Sequence, residues 1–292
     1  MKRTPWSVRG RQLPLETPAV MGILNTTPDS FSDGGEHLDP DTAIAIGLQM
    51  VQDGARIVDV GGESTRPGGV AVPADLEIDR VVPVVEGLAA EGVTVSVDTS
   101  KAQVAARCIE AGAAIVNDVT AFADPAMAAV CADGGVGVVL MHMLGTPRTM
   151  QSDPTYDDVV GEVAAFLDQR AALAVAAGVE GSAISVDPGI GFGKTFGHNI
   201  ELMSHLGRFV ALGYPVTVGA SRKRFLGSIL EPVRRATVPQ ERDGATAATV
   251  ALAVAQGVSI LRVHNVRTAV DVALTADAMV PVEEHEQEID RT

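Results

Sequence analysis

The sequence has few aromatic residues and few cysteines. Of its 292 residues 3% are aromatic, and the two cysteines are Cys108 and Cys131. Both stand in Ala-rich helical segments without metal-ligand spacing, which excludes a disulfide framework and a cysteine-based metal site. We expect both thiols to be small buried groups in a protein of a reducing compartment.

Long hydrophobic runs and positive charge are also scarce. No segment runs 18 apolar residues without interruption, so no membrane-spanning helix is predicted. The 37 acidic residues outnumber the 22 basic ones, which gives a formal net charge of −15. This balance argues against nucleic acid or an anionic membrane as a partner, because both bind basic surfaces. We expect a cytoplasmic protein in which any anionic ligand binds at a local basic site.

What the sequence does have is a strand pattern followed by a helical pattern, eight times over. The β-type runs cover residues 20–24, 57–60, 93–97, 115–116, 136–141, 184–186, 216–218 and 260–263. Helical periodicity lies between them, for example over 42–51 and 159–176. The alternation predicts an α/β fold, a single (β/α)8 TIM barrel over residues 19–280 with long βα loops 1 and 2. Residues 1–18 are then an N-terminal extension, and the acidic residues 281–292 a disordered tail.

Every predicted strand ends in a polar residue. The carboxyl ends of barrel strands meet at one mouth, where barrel enzymes have their sites. An Asp or Asn after a strand can also cap the next helix or shape a turn, and at any single position both interpretations stay open. Eight such strand ends together favour a site, which would be lined by Asn25, Asp59, Asp98, Asn117, Asp118, His142, Asp187, Ser221, Arg222, Lys223, Arg262 and His264.

Three motifs near strand ends indicate anion binding. The segment "GGESTRPGG", residues 61–69, combines glycines, hydroxyls and an arginine, without the spacing of a Walker loop. The segment "GASRKRFLG", residues 219–227, places three cations after the seventh strand, where barrels commonly bind phosphate. Arg262 of the eighth strand should not be buried unpaired, and a bound anion is its expected partner. The glycines of "DPGIGFGK", residues 187–194, lack dinucleotide-fingerprint spacing.

The loop after the first strand and the metal ligands leave alternatives open. Residues 25–35, "NTTPDSFSDGG", form either a mobile lid over the mouth or an ordinary solvated loop. No His, Cys or carboxylate cluster has transition-metal spacing, and neither cysteine has a recognisable base for covalent catalysis. A hard ion such as Mg²⁺, held by an oxygen ligand and substrate phosphates, stays open.

In their order along the chain, these blocks resemble the dihydropteroate synthase family, folate-pathway enzymes built on a pterin-binding (β/α)8 barrel. The resemblance covers about residues 20–279 and rests on "MGILNTTPDSFSDGG", "GGESTRPG", "VSVDTSKAQVA", "VNDV", "VLMHM", "DPGIGFGK", "GASRKRFLG" and "RVHNV". It implies the condensation of 6-hydroxymethyl-7,8-dihydropterin pyrophosphate with p-aminobenzoate to give 7,8-dihydropteroate and pyrophosphate. It also implies Mg²⁺ as cofactor and a homodimer.

The resemblance assigns roles to the residues at matching positions. The pterin would be held by Asp98, Asn117, Met141, Asp187 and Lys223. Pyrophosphate would be bound by Asn25, Ser64, Thr65, Arg262 and His264, with Asn25 also as the Mg²⁺ ligand. The residues implied in catalysis are Asp98, Lys223, Asp33 and Arg66. In the family the C–O bond breaks first, and Asp98 would stabilise the resulting dihydropterin cation.

A p-aminobenzoate pocket is implied where the first two loops close over the mouth. It would be lined by Phe31, Arg66, Pro67, Phe192, Phe196, Lys223 and Arg224, with Asp29 and Asp33 in the same loop as Phe31. Two positions depart from the family pattern: Arg224 stands where many members have Ser, and Phe196-Gly197 where a Pro-Glu pair is common. The second departure suggests a sulfonamide-insensitive variant, and the alternative is neutral drift at a helix start.

Two other functions fit part of the pattern. A methyltetrahydrofolate-dependent corrinoid methyltransferase of the same superfamily needs no pyrophosphate site, so the anion-binding motifs count against it. A catalytically silent paralogue would bind pterin without turnover. The presence of Asn25, Asp98, Lys223, Arg262 and His264 disfavours that alternative.

Overall fold

The computed structural model describes residues 3–27, 39–64, 69, 71–233 and 237–280. A short antiparallel hairpin, β1 (Trp6–Val8) and β2 (Arg11–Leu13), comes first. The strands that follow are β3 (Ala19–Asn25), β4 (Ile57–Gly61), β5 (Val95–Asp98), β6 (Ile115–Asp118), β7 (Gly137–Met141), β8 (Ile184–Asp187), β9 (Thr217–Val218) and β10 (Ile260–Val263). The helices are α1 (Pro40–Gln52), α2 (Ala74–Ala90), α3 (Ala102–Glu110), α4 (Met127–Gly134), α5 (Val159–Ala176), α6 (Phe196–Ser204), α7 (Leu206–Val210), α8 (Arg224–Leu230), α9 (Asp243–Ala255) and α10 (Val266–Met279).

Strands β3 to β10 form one parallel sheet that closes on itself. Its order is β8-β7-β6-β5-β4-β3-β10-β9. The two ends of this order meet where Val186 of β8 donates its N–H to the carbonyl of Pro215, just before β9, at 3.0 Å. Beside this bond the hydroxyls of Ser185 and Thr217 lie 2.8 Å apart. The predicted (β/α)8 barrel is confirmed. The names loop 1 and loop 2 are used for the chain segments between β3 and α1 (residues 26–39) and between β4 and α2 (residues 62–73).

The apolar side chains form two layers. The larger one lies between the strands and the surrounding helices, which explains why the strands read as short, nearly continuous apolar runs. The smaller one is built from residues near the strand starts, such as Ile57 and Ile260, together with Trp6 of the hairpin. Trp6 is fully buried, and its indole N–H donates to the carbonyl of Ala183 at 2.8 Å. The hairpin therefore covers the barrel end opposite the strand carboxyl ends.

Glycine conformation and cysteine burial are further local features of the fold. The glycines before five of the strands, at positions 54, 92, 112, 213 and 257, have φ between 78° and 111°, the left-handed conformation that ends a helix. Cys108 and Cys131 are free thiols and are buried. In the part of the chain that the structure describes, no helix is long and apolar enough to cross a membrane.

Candidate active site

Strand register brings polar residues together at the carboxyl end of the barrel. Asn25, Gly61, Asp98 and Asn117 are successive register partners across β3, β4, β5 and β6. Register partners in a parallel sheet project to the same face. A Cβ on Gly61 would lie 3.8 Å from both Asn25 Oδ1 and Asp98 Oδ2, so these two groups flank the Gly61 position at ordinary contact distance. Asn25, Asp98 and Asn117 therefore form a row of polar side chains on this side of the mouth.

Arg262 links two carboxylates inside the barrel. Its Nε donates to Asp59 Oδ2 and its Nη2 to Asp98 Oδ2, both at 2.6 Å. Asn117 also donates to Asp59 Oδ2, at 3.1 Å. Both carboxylates and the amide are buried. A bound anion is the partner predicted for Arg262, but its partners in the structure are these carboxylates, because β4, β5 and β10 bring the three charges together.

The network perturbs the ionisation of its members. Burial raises the pKa of Asp98 to about 7, although the charge of Arg262 acts in the opposite direction. Burial lowers the pKa of Arg262, but Asp59 and Asp98 outweigh this effect and raise it above its usual range. Oδ1 of Asp59 and Oδ1 of Asp98 are buried and have no hydrogen-bond partner among the described residues. The mouth therefore holds a carboxylate oxygen at Asp98 that can accept from a ligand.

Asp187 and Met141 complete the opposite side of the mouth. They are register partners at the ends of β8 and β7, and both are buried. Asp187 Oδ1 accepts the N–H of Gly189 at 2.7 Å, and burial raises the pKa of this carboxyl group. The structure thus brings all the residues predicted to hold a pterin to one end of the barrel, although their binding role stays a prediction.

The glycine-rich segment 187–194 positions Lys223. Gly191 has φ 83°, and a Cβ there would lie 2.8 Å from Lys223 Cδ, so glycine allows the lysine stem to lie against the loop. Lys223 Nζ donates to the carbonyl of Ile190 and lies 4.2 Å from the ring centroid of Phe192. Burial lowers the pKa of Lys223 to about 7, with the charge of Asp187 acting in the opposite direction. Gly191 of this segment therefore serves the packing of Lys223 and not the binding of a dinucleotide.

The other polar residues after β9 have different surroundings. Arg222 donates from Nε and Nη2 to the two carboxylate oxygens of Asp243, at 2.7 and 2.9 Å. Arg224 is exposed at the start of α8. The Ser221 hydroxyl lies 2.9 Å from Nδ1 of His264, which orients the imidazole. The three cations of segment 219–227 therefore do not form one basic patch, and Lys223 is the one placed against the 187–194 loop.

The first residues of loop 2 are anchored to α2 and α3. Arg80 donates to the carbonyl of Gly62 at 2.9 Å. Lys101 forms ion pairs with Glu63 of the loop and with the buried Glu77 of α2. Ser64, which follows in the chain, is half-buried. The backbone that leads into the predicted anion-binding segment is thus fixed at its base.

Several predicted site residues lie outside the described residues, namely Asp29, Phe31, Asp33, Thr65, Arg66 and Pro67, and so does the predicted tail 281–292. The lid hypothesis for residues 25–35 accordingly stays a prediction. Phe196 is described: it is the first residue of α6 and is 49% exposed. Helix α6 contacts α8, the helix that begins at Arg224.

Two buried charged groups have no role implied by the family resemblance, although Asp59 is among the strand-end residues expected to line the mouth. Asp59 is completely buried in the middle of β4. A charged residue within an otherwise apolar strand is the sequence feature that indicates a functional position here. Lys194 is 2% exposed, and its Nζ lies 2.9 Å from His142 Nδ1 and donates to the carbonyl of Phe192 at 3.0 Å. Nothing in the sequence around Lys194 indicates its burial.

A parallel barrel whose mouth combines buried carboxylates, an amide and cations is typical of a (β/α)8 enzyme with a small-molecule site at the carboxyl ends of its strands. The chain belongs to the family of pterin binding enzymes, whose sequence model matches residues 21–264. Within that family it is similar to dihydropteroate synthases over most of its length, which confirms the resemblance found in its motifs.

Two relatives and two solved structures illustrate the similarity. The chain is 51% identical over 256 residues to the dihydropteroate synthase of Mycobacterium leprae, with 86% of this chain and 90% of that protein covered. It is 45% identical over 267 residues to that of Bacillus subtilis, with 91% and 90% covered. The Xanthomonas albilineans dihydropteroate synthase with 4-aminobenzoic acid matches with a TM-score of 0.88 and 43% identity, over 96% of this chain and 100% of that chain. The Yersinia pestis dihydropteroate synthase with a sulfonamide drug matches with a TM-score of 0.88 and 42% identity, over 94% and 98%.

Proposed function

We propose that this protein is a dihydropteroate synthase, a transferase that condenses 6-hydroxymethyl-7,8-dihydropterin pyrophosphate with p-aminobenzoate to give 7,8-dihydropteroate and pyrophosphate. The observation that carries the proposal is the row of Asn25, Asp98 and Asn117 at the same barrel mouth as Asp187 and Lys223. Dihydropteroate synthases 41% to 51% identical to the chain over most of its length support it. The Xanthomonas albilineans relative has been solved with 7,8-dihydropteroate.

The mouth offers the groups that a pterin ring requires. A pterin edge alternates N–H donors with ring acceptors, so it needs both kinds of partner in the protein. Asp98 and Asp187 supply acceptor oxygens, the Asn117 amide supplies both kinds of group, and Lys223 supplies a donor. Met141 supplies an apolar side chain at the end of β7. In this buried setting each pairing discriminates strongly, because an unmatched polar group would lose its water without a replacement.

The reaction then separates charge between the pterin, which becomes positive, and the leaving pyrophosphate. The bond between the pterin methylene carbon and the pyrophosphate oxygen breaks, and its electron pair leaves with pyrophosphate. The Asp98 carboxylate stabilises the positive charge left on the pterin, while Arg262 and His264, with Ser64 and Thr65 of loop 2, hold the pyrophosphate. The amine nitrogen of p-aminobenzoate forms the new C–N bond and releases a proton. Contacts from loop 1, from loop 2 and from Phe192 would orient that amine.

Mg²⁺ fits the donor set at the mouth. In the described part of the chain no group of three or more His, Cys, Asp or Glu side chains could hold a metal ion by itself. Mg²⁺ commonly uses one or two protein oxygens together with substrate phosphates and water. Asn25, half-buried at the end of β3 with its Oδ1 facing the Asp98 side, would be the protein ligand. When bound, the ion would supply positive charge that stabilises the leaving pyrophosphate.

A homodimer is also part of the proposal. Helices α9 and α10 pack against each other on the outside of the barrel and carry exposed apolar side chains, including Leu252 (58% exposed) and Leu274 (47%). Contiguous exposed apolar patches mark subunit interfaces, and we propose that these two side chains contribute to one. Sedimentation velocity should show a dimer that Leu252→Asp weakens, and a monomer at every concentration of the unmodified protein would contradict the proposal.

Reduced sensitivity to sulfonamides is the last part of the proposal. Phe196 begins α6, and Asn199 of the same helix accepts the N–H of Gly191 at 2.5 Å. This bond ties the helix start to the loop that carries Phe192, which is predicted to line the p-aminobenzoate pocket. An exposed ring at this point changes the rim of a pocket that must distinguish p-aminobenzoate from its sulfonamide analogues.

The decisive experiment is pyrophosphate release when the two substrates are mixed with the protein and Mg²⁺. We expect release only when both substrates are present, and Lys223→Ala should reduce it strongly. Release no greater than background would reject the synthase. If the protein then still binds pterin in a fluorescence titration, the silent paralogue becomes the correct interpretation.

A further inference from the structure

One oxygen of Asp59 connects the two halves of the site. Asp59 Oδ2 accepts from Arg262 Nε at 2.6 Å and from Asn117 Nδ2 at 3.1 Å. Arg262 belongs to the predicted pyrophosphate end and Asn117 to the predicted pterin end. Asp59 itself has no assigned role, and it is completely buried behind both residues.

Arg262 has a second bond that the substrate must compete with. Its Nη2 donates to Asp98 Oδ2 at 2.6 Å, and Asp98 is the carboxylate proposed to bind the pterin. A guanidinium group has five N–H donors in a rigid plane, of which these two contacts use two. The Nε bond to Asp59 lies on the stem side of the plane, so it can persist while the outer donors change partners.

We propose that Asp59 is a positioning residue. Its Oδ2 holds Arg262 through Nε, so that the outer guanidinium donors can leave Asp98 to the pterin and turn to the pyrophosphate. The same oxygen holds the Asn117 amide in place for the pterin. This inference rests on the proposed function. Without Asp59, Arg262 would have Asp98 as its remaining carboxylate partner among the described contacts, and it would compete with the pterin for that group.

A purely structural carboxylate is a poor explanation for this arrangement. A buried ion pair is often no more stabilising than well-packed apolar residues, because both charges lose their hydration. Asp59 Oδ1 is buried and has no partner among the described residues, which adds to that cost. Ser96, the register partner of Asp59 on β5, is also completely buried, and its hydroxyl likewise has no partner in the described part of the chain. Ser96→Ala is therefore a matched control for a small change in the same interior layer.

The test is Asp59→Asn, which keeps the shape of the side chain and removes its charge. We expect KM for the pterin pyrophosphate to rise about 10- to 100-fold, the range of one lost charge-assisted hydrogen bond, while KM for p-aminobenzoate changes less than about threefold. Calorimetry with inorganic pyrophosphate and with 6-hydroxymethylpterin should show both affinities reduced. Ser96→Ala should leave these four quantities unchanged. Lowered thermal stability with unchanged KM values and affinities would overturn the proposal.

A double-mutant cycle with Arg262→Lys tests whether Asp59 acts through Arg262 and not through a general loss of structure. Arg262→Lys keeps the charge, but its single ammonium group cannot span Asp59 and Asp98 in the same way. If Asp59 acts through Arg262, adding Asp59→Asn to Arg262→Lys should weaken pyrophosphate binding little further. Fully additive losses would overturn the proposal. The pyrophosphate titrations do not depend on turnover, so they give an answer even if the unmodified protein releases no pyrophosphate and the proposed function fails.

Discussion

Lys194 Nζ lies 2.9 Å from Nδ1 of His142, and both side chains are buried at the barrel mouth. The lysine also donates to the carbonyls of His142 and Phe192, at 3.4 and 3.0 Å. Burial lowers the pKa of Lys194 to about 7, and burial together with the Lys194 charge lowers the pKa of His142 to about 3. The imidazole is therefore neutral near pH 7. Folding accordingly changes the proton affinity of the lysine.

The first prediction is a pH dependence of stability that belongs to Lys194. In the unfolded chain a lysine titrates near 10.5. Between this value and about 7 the unfolded chain binds more protons than the folded one, so the contribution of Lys194 to the free energy of unfolding rises with pH. The slope is at most about 1.4 kcal/mol per pH unit. Below about pH 7 the lysine is charged in both states and its contribution is lowest.

Urea unfolding of the unmodified protein and of Lys194→Met, from about pH 7 to about pH 9.5, measures this contribution. The stability difference, unmodified minus variant, should increase with pH. Arg208→Met removes an exposed positive charge from α7 and should show no such trend. A difference that is constant or falls across this range would show that folding does not lower the pKa of Lys194.

The second prediction concerns the cation between Asp59 and Asp98. Arg262→Met leaves both buried carboxylates without their common partner, so the free energy of unfolding should fall by about 3–5 kcal/mol near pH 8. Without Arg262 the pKa of Asp98 should rise further above about 7, whereas unfolded carboxyls titrate near 3.8. The folded variant then binds more protons between these values, so its stability rises as the pH falls.

The loss on Arg262→Met should therefore be smaller at about pH 5 than at about pH 8 when measured by chemical unfolding. Arg267→Met is the surface control, because Arg267 is 75% exposed and pairs with Asp53 at 2.8 Å. That change should cost less than about 1 kcal/mol. An equally large loss for Arg262→Met at both pH values would contradict buried pairing with Asp98.

The barrel was predictable from the sequence because its signals are local. Each strand is a short apolar run, and left-handed glycines such as Gly54 and Gly257 mark the helix ends before the strands. The N-terminal hairpin was not predicted, since three-residue strands carry too little periodicity and depend on packing. The position of Trp6 depends on a long-range contact, because its indole N–H donates to the carbonyl of Ala183, 177 positions along the chain.

The members of the site were predictable, but their pairing was not. Strand ends identify Asp98, Asn117 and Asp187 because the barrel fixes where strands finish. The choice of Asp59 and Asp98 as partners of Arg262 depends on how β10 is staggered against β3, β4 and β5, which no local pattern determines. The burial of Lys194 similarly depends on the glycine loop folding back toward His142.

The third prediction tests Asn25 as the Mg²⁺ ligand. If Asn25 is the ligand, Asn25→Ala removes one oxygen from the ion, so the Mg²⁺ concentration that gives half-maximal pyrophosphate release should rise about tenfold or more. The variant should regain activity at high Mg²⁺, and a chelator should suppress release by both proteins. Gln103→Ala removes an exposed amide from α3 and should not change the Mg²⁺ requirement. An unchanged requirement in Asn25→Ala would remove Asn25 from the metal site.

The fourth prediction concerns sulfonamides and the pair Phe196-Gly197. The replacement Phe196→Pro with Gly197→Glu suits the helix start, because Thr195 is the N-cap of α6 and proline is favoured at the first helical position. A Cβ at position 197 meets no atom closer than 3.9 Å, and an acidic group in the first turn is favourable. The fold should therefore be retained.

If the exposed ring of Phe196 excludes sulfonamides, the replacement should lower the half-inhibitory sulfonamide concentration about tenfold, equivalent to about 1.4 kcal/mol of binding free energy. KM for p-aminobenzoate should change much less, because the substrate must be accepted by both proteins. Inhibition curves of pyrophosphate release at fixed p-aminobenzoate measure the first quantity, and initial rates measure the second. Equal inhibition of the two proteins would show that the pair at the start of α6 reflects neutral drift. A parallel fall in both quantities would show that the ring restricts the pocket without discriminating between substrate and drug.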